Sequence, residues 1–509
     1  MRRLRAKIPL LFSVVLAAAS AEAGPGRIEY LLQVDDPPGI IFRVTMRIEV
    51  SESTVTVAMP ASTRGAFIQN HAKYVLRFKA SDENGEPLNW SRADKQTWRV
   101  HAGRAHTVTV IYDVHRNEEE ELRLTTNWVS GKGGFLIGSS VFMYLPDYLN
   151  EPVTLKMRLP AQWEIATPLS KGPTPGSFLA GNYSELADAP VQFGEMHRRT
   201  VAPAGISCHL IFDDHLPEYD EKELDIKISN VISYQKTLFQ ESPSREFWVF
   251  FHWRPDLEYG GGLARRNAIV MNIGKAWIED LPANLIGTFT HEFFHTWNFA
   301  SFYPADLAAY DFSGENYTWA SWFIEGITNY YVYLTFARTG PLKLDTFLSI
   351  LSNDVTAYES SPGRGRLTLR EADKAAWINA MEYLNANNGG AVLGFLLDLK
   401  LRLESQNRFS LDDVMRSLYQ ECKKSGYRGY TEVSLIQAIR KTSSVDVRRF
   451  FELYVNGQGP IDYDSILKPA GLSMEVGKDD QGNKTYSIRI RQDNLADSVN
   501  FLEKLLRGI

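Results

Sequence analysis

Two histidines four positions apart, His291 and His295, stand in the helical pattern Thr290-His-Glu-Phe-Phe-His-Thr-Trp-Asn298. At that spacing both imidazoles project from one helix face, one turn apart, and can grip a single tetrahedral cation. Glu292, beside the first histidine, lies near the same face, where it can take a proton from a metal-bound water. A second helical stretch, Trp322-Phe-Ile-Glu-Gly-Ile-Thr-Asn-Tyr-Tyr331, offers Glu325 as a third ligand. Two histidines and a glutamate with one position left to water make the open coordination of a catalytic zinc; structural zinc sites are closed and usually use cysteine. His291, His295 and Glu325 are the expected Zn²⁺ ligands. Glu292 is the expected general base, able to pass the water's proton on to a leaving amine. Asn329, one turn after Glu325, is placed to accept a hydrogen bond from a ligand histidine, although an ordinary exposed helix position would read the same way.

The run HEFFHTWN, then Glu315-Asn-Tyr-Thr318, then WFIEGITNYY resemble the glycyl aminopeptidase family of gluzincin metallopeptidases, with its HEFFHxWN and WxxEGxTxYY signatures. The resemblance runs over most of the chain and implies a peptide or protein substrate. It also implies a tyrosine that stabilises the oxyanion, for which Tyr317, Tyr330, Tyr331 and Tyr383 are candidates by type. The family's tyrosine-rich segment precedes a glycine that opens a helix ending in LDLxxR. Here Leu397-Asp-Leu-Lys-Leu-Arg402 is kept, but the preceding segment reads Tyr383-Leu-Asn-Ala-Asn-Asn-Gly-Gly390. An ungapped match puts Ala386 and Asn387 where the tyrosines stand, and Tyr383 fills the role if the loop before the helix is longer.

The family's GGLEH strand borders the substrate, and its equivalent here is Gly261, Gly262, Leu263, Ala264 and Arg265. Ala264 replaces an acid that could meet a substrate ammonium, so a charge-assisted contact is lost. Arg265, if it pointed inward, would repel that ammonium; strand alternation would instead put it on the face opposite Ala264. On either geometry, N-acylated or internal peptide bonds are expected to be cleaved at least as well as those next to a free N-terminus. The uncharged Phe299-Ala-Ser-Phe-Tyr-Pro304 stands where the family has a basic run. The family's C-terminal PDZ domain is expected to be missing, with only about fifty residues after Gly457. Two rival functions use the same residues. One is a zinc-holding binding module without turnover, against which the retained Glu292 argues; the other is a zinc hydrolase of a non-peptide amide or an epoxide.

The elements that must position these groups follow from periodicity. From about Arg27 to Asp213 the pattern alternates, as in Ile41-Phe-Arg-Val-Thr-Met-Arg-Ile-Glu-Val50, Thr107-Val-Thr-Val-Ile-Tyr-Asp-Val114 and Val153-Thr-Leu-Lys-Met-Arg-Leu159. Many short strands with Gly, Pro, Asn and Asp turns predict an N-terminal β-sandwich domain over 24–215. After Pro217 come a helix at 222–239, a buried strand at 246–252 and a glycine-rich turn into an edge strand. The two motif helices follow, then helical stretches at 342–358, 390–403, 410–423 and 431–442. This predicts a zincin-type α+β catalytic domain with a helical extension over 216–456. Residues 457–509 form a short C-terminal β segment, clearest at 484–491, with a final helix near 496–506. The fold class expected is therefore multidomain.

Residues 1–23 have the form of an export signal: Arg2, Arg3, Arg5 and Lys7, an apolar run from Ile8 to Ala19, and the small-x-small site Ala21-Glu-Ala23. That run is shorter than the roughly 20 residues that span a bilayer, so a secreted or periplasmic protein without a stable membrane span is expected once the signal is removed. Removal deletes four basic groups and one acid, moving the formal charge from −6 to about −9. A mildly acidic chain without a Lys/Arg block argues against nucleic acid as partner. Cys208 and Cys422 are expected to be buried free thiols. The acidic run Glu118 to Glu121 reads as a solvated loop or strand edge, and His71, His101, His106 and His115 lack ligand spacing. No signal for an oligomeric state appears.

Overall fold

The computed structural model describes residues 27–34, 41–63, 69–115, 127–213, 219–340, 342–378, 383–493 and 495–508. The export signal at 1–23 and the acidic run at 118–121 lie outside the described residues.

The N-terminal region is β-rich. The alternating segments become strands Ile41–Glu49, Thr107–His115 and Val153–Arg158, all in one seven-stranded sheet. Phe42, Val44, Met46 and Ile48 turn inward while Arg43, Arg47 and Glu49 face water, which is the period-two pattern in physical form. Sheets of four and three strands share its core, where Val57, Trp98, Leu136 and Phe193 pack together with the seven-stranded sheet. Three buried tyrosines keep their hydroxyls satisfied there. Tyr30, Tyr112 and Tyr183 donate to the carbonyls of Met143, Val141 and Phe142 at 2.7, 3.0 and 2.7 Å.

A five-stranded sheet lies at the centre of the catalytic region, in the order His197–Val201, Ser207–Phe212, Glu246–Arg254, Ala268–Gly274, Gly261–Ala264. The three inner strands run parallel and the two outer ones antiparallel to their neighbours. Its first hairpin precedes residue 215, where the change of period suggests a boundary. Short strands and turns continue through that hairpin, so β character alone does not separate one sheet from the next. Both faces are covered. Cys208, Val249, Phe251 and Met271 pack beneath helices Glu221–Phe239 and Leu281–Phe294. On the other face Ile211, Phe250, Leu263 and Val270 meet Phe135 and Ile137 of the N-terminal region. A sheet buried on both sides needs near-continuous apolar strands, as Glu246–Arg254 shows.

The helical extension comprises Leu344–Glu359, Ala386–Glu404, Leu411–Lys424 and Glu432–Ser443. The chain then forms the strand pair Leu472–Lys478 and Lys484–Ile490 and the helix Leu495–Arg507, docked through Leu472, Ile488, Leu502 and Leu505. Cys208 and Cys422 are buried free thiols. Among the described residues no helix is long and apolar enough to cross a membrane.

A fully buried polar network fixes this extension. Asp398 accepts from the Tyr330 hydroxyl at 2.9 Å, the Leu411 N–H at 2.9 Å and Arg402 Nε at 3.2 Å. Asp412 in turn accepts from the Tyr331 hydroxyl at 2.9 Å and Arg338 Nη1 at 2.8 Å. Removing one member of such a set strands a buried charge. Asp398→Ala is therefore expected to cost about 3–5 kcal/mol in urea unfolding, because Arg402 keeps its burial and loses its carboxylate. A change below about 1 kcal/mol would contradict that role.

Candidate active site

Helix Leu281–Phe294 is opened by Asp280, whose side chain accepts from the Ala283 N–H, and by Pro282 in the first turn. Its apolar stripe, Leu285, Phe289 and Phe293, faces the sheet, Glu292 and His295 line the cleft, and His291 meets His295 beside it. Each imidazole is oriented through Nδ1. His291 Nδ1 lies 2.8 Å from Asn329 Oδ1, the contact read from the sequence, and His295 Nδ1 lies 2.9 Å from the Asn298 carbonyl. With Nδ1 turned to an acceptor in both, each Nε2 faces one point, where it can offer a lone pair to a metal that displaces its proton.

Glu325 reaches the same point. His291 Nε2 and His295 Nε2 are 3.0 Å apart, and Glu325 Oε2 lies 3.2 and 3.5 Å from them. Ligand atoms about 2.0–2.1 Å from a tetrahedral ion are separated by about 3.3 Å, so the three atoms fit the corners of a metal site. The turn carrying Glu325, Trp322–Gly326, is π-helical. Its irregular carbonyls are met by Asn298, whose Nδ2 lies 3.0 and 3.1 Å from the carbonyls of Phe323 and Ile324 and 3.1 Å from Thr328 Oγ1. Asn298 escaped the sequence reading, although it closes the first motif.

The electrostatics favour positive charge at that point. Burial works against a charged His295, yet the Glu325 carboxylate outweighs it and lifts the imidazole to about 9. Glu325, whose burial acts in the opposite sense, is held well below the carboxylate range by the two imidazoles. Burial raises the carboxyl of Glu292, while both imidazoles and the Ala264 backbone N–H pull it back.

A cavity of about 430 Å³ opens over the triad. Gly262, Ala264, Glu292, His295 and Glu325 line it, with Phe299, Tyr303, Tyr310, Asp373 and Tyr383 among the other walls. Gly262 lies hard against Glu292: a Cβ there would come within 2.5 Å of Glu292 Cγ, so only glycine lets the strand pass so close. Leu263 lends its backbone to the cavity, and its side chain belongs to the core with Phe250 and Val270. Gly261 pairs with Asn272 at the start of the strand, and the cavity begins one residue later, at Gly262.

Arg265 does not point toward the substrate. It is 3 % exposed, with Nη1 3.3 Å from Asp188 Oδ1 and 3.4 Å from Thr63 Oγ1, both in the N-terminal region. Strand alternation sends it to the face opposite Ala264. The expected repulsion of a substrate ammonium therefore falls away, and what remains is the missing carboxylate at Ala264.

Among the tyrosine candidates, Tyr383 lines the cavity from the loop before helix Ala386–Glu404, and Ala386 and Asn387 line it from the helix's first turn. Tyr330 and Tyr331 are buried in the Asp398 and Asp412 network, and the Tyr317 hydroxyl binds Glu315. Phe299 was also unforeseen. It lines the cavity with φ at 124°, a costly conformation for a bulky residue, and its ring centroid lies 6.0 Å from that of His295.

Comparison with known proteins agrees with this geometry. No curated protein sequence matches the chain. An aminopeptidase N family protein from Idiomarina loihiensis superposes on 90% of this chain and 81% of its own, with a TM-score of 0.82 and 22% identity. An M1 zinc metallopeptidase from Deinococcus radiodurans shares the fold more loosely, at TM-score 0.52 and 15% identity over 86% of this chain and 95% of its own. A variant of that protein bound to a Tyr-Ser-Ala substrate gives 0.53 and 14% over the same shares. The Peptidase M61 N-terminal domain family matches residues 29–195, and the M61 glycyl aminopeptidase family matches residues 284–391, which carry both motif helices. With more than half of its length in these two matches, the chain belongs to the M61 glycyl aminopeptidase family and is a metallopeptidase.

Proposed function

We propose that the chain is an exported zinc peptidase in which Glu292 is the general base. The observation that carries this reading is the meeting of His291 Nε2, His295 Nε2 and Glu325 Oε2 within 3.0–3.5 Å of one another, with Glu292 in the same cavity. When bound there, zinc supplies Lewis-acid polarisation and lowers the pKa of water to about 7.

The chain's own residues do the rest. Glu292, its carboxyl raised by burial, takes the proton of the attacking water and gives it to the departing amine. Tyr383 donates a hydrogen bond to the carbonyl oxygen as that atom gains charge. Asn329 and the Asn298 carbonyl keep both imidazoles in the tautomer that presents Nε2. Gly262 and Ala264 line the cavity from an edge strand, where main-chain groups outside the strand pairing can meet an extended peptide beside Glu292. Export rests on the basic and apolar pattern of residues 1–23.

Wild-type protein is expected to hold one zinc per chain by elemental analysis, and Glu325→Ala to lose it; equal zinc in both would refute the ligand set. Glu292→Gln should keep its zinc and lose about 10²–10⁴-fold in turnover, since an amide cannot accept the proton. A peptide-library digest with and without chelator is the matching assay. Chelator-sensitive cleavage supports the peptidase, and intact peptides beside a bound metal would favour a binding module or a hydrolase of other amides. Expressed with its first 23 residues, the protein should be recovered outside the cytoplasm with a new N-terminus near Gly24; full-length protein retained inside would overturn the export proposal.

A further inference from the structure

The cavity's charges do not balance. Among the described residues its lining includes the carboxylates Glu292, Glu325 and Asp373 and neither lysine nor arginine. A divalent ion at the triad offsets two of these negative charges, and Asp373 is left over. Among the described residues Asp373 has no ion pair. Its carboxylate accepts from the Thr318 N–H at 2.9 Å and the Ser321 hydroxyl at 2.8 Å. The charged groups that act on it, Asp306 and Glu325, are themselves acids. Asp306 takes the other side of Thr318, through Oγ1 at 3.0 Å. The neighbouring Lys374 sets its ammonium over the Tyr317 ring, 5.9 Å from the centroid. Burial raises the Asp373 carboxyl, the Thr318 and Ser321 contacts pull it back, and Asp306 and Glu325 push it up again.

The other walls add to the same chemistry. Phe299, Tyr303, Tyr310 and Tyr383 present aromatic rings to the cavity. A carboxylate in a cavity with aromatic residues in its walls attracts a cationic nitrogen by charge-assisted hydrogen bonding. Ser321 lies one helical turn before Glu325, so Asp373 stands on the Glu325 side of the cavity, away from the strand where Ala264 lacks an acid.

We propose that Asp373 selects a cationic nitrogen of the substrate, either a free N-terminal amine or the side chain of a lysine or arginine. The assignment rests on the peptidase reading of this cavity. It compensates for the missing acid at Ala264 with a carboxylate delivered by a different element, and it makes a positively charged peptide the substrate class.

Asp373→Asn is the informative change, because the amide can still accept from Thr318 and meet the Ser321 hydroxyl while losing only the charge. The zinc-loaded wild type and variant are assayed on matched peptides, each with a free or acetylated N-terminus and with arginine or citrulline near the cleavage site. Wild type is expected to favour the cationic members, which for the N-terminal amine reverses the preference expected from Ala264 alone, and Asp373→Asn to lose about 10–100-fold in kcat/KM on them, mainly through KM. On the acetylated citrulline peptide the two should agree within about twofold. Loss that follows the free N-terminus identifies the amine as the partner, and loss that follows arginine identifies the side chain. Equal loss on all peptides, or a wild type indifferent to charge, overturns the proposal. Asp306→Asn, outside the cavity lining, should leave charge preference unchanged, and an effect as large as that at Asp373 counts against the assignment. If no peptide is cleaved, the peptidase reading fails separately, and calorimetry with the zinc-loaded Glu292→Gln protein decides. Argininamide should bind at least tenfold more tightly than N-acetyl-citrullinamide, and Asp373→Asn added to that protein should abolish the difference; equal binding refutes the role of Asp373.

Discussion

Asn298 joins two helices on which the rest of the site depends. Its main-chain carbonyl lies 2.9 Å from His295 Nδ1, while its carboxamide reaches Phe323, Ile324 and Thr328 at 3.0–3.1 Å on the turn that carries Glu325. Metal ligands must hold their spacing to a few tenths of an ångström, and long side chains on separate helices do not do so unaided. One residue here couples the orientation of an imidazole to the placement of the carboxylate it must meet. The π-helical turn is the complementary adjustment, since it leaves carbonyls outside the regular ladder that a side-chain amide can satisfy.

Behind Glu325 the packing is equally tight. Gly326, the residue after the ligand, lies against Gly390 in helix Ala386–Glu404: a Cβ on Gly326 would come within 2.3 Å of Gly390 Cα, and one on Gly390 within 2.0 Å of the Trp322 carbonyl. Two helices can cross this closely only where neither carries a side chain. The same approach brings Tyr383, just before that helix, into the cavity, and sets Tyr330 over Asp398. The glycines are thus part of the ligand geometry, though neither touches a ligand atom.

The parts legible in the sequence were those with a period or a spacing. His291 and His295 follow from helical spacing, Glu325 from the second motif, Asn329 from one further turn, and the strands at Ile41, Thr107 and Val153 from alternation. The orientation of Arg265 was derivable from that same alternation, but which of the two faces held the substrate was not, because nothing local marks it. Membership of the hairpin 197–212 in the catalytic sheet was hidden for a related reason: a strand's period reports its burial, and both sheets bury their strands. Asp373 and Phe299 were out of reach. An aspartate at the start of a helix looks like a dipole partner or a cap, and its place in the cavity arises from contacts with Thr318 and Ser321, far away in sequence. Phe299 depends on a positive φ that no propensity scale assigns to phenylalanine.

The pairing of Arg265 with Asp188 makes the enzyme indivisible. The strand that lines the cavity is tied on its other face to the N-terminal region, through this ion pair and through Leu263 and Val270 against Phe135 and Ile137. A fragment beginning at the catalytic sheet would open that apolar face to water and separate the guanidinium from its carboxylate. The β-rich region therefore serves as the back wall of the active site, and evolution could not shed it without giving the strand a new support.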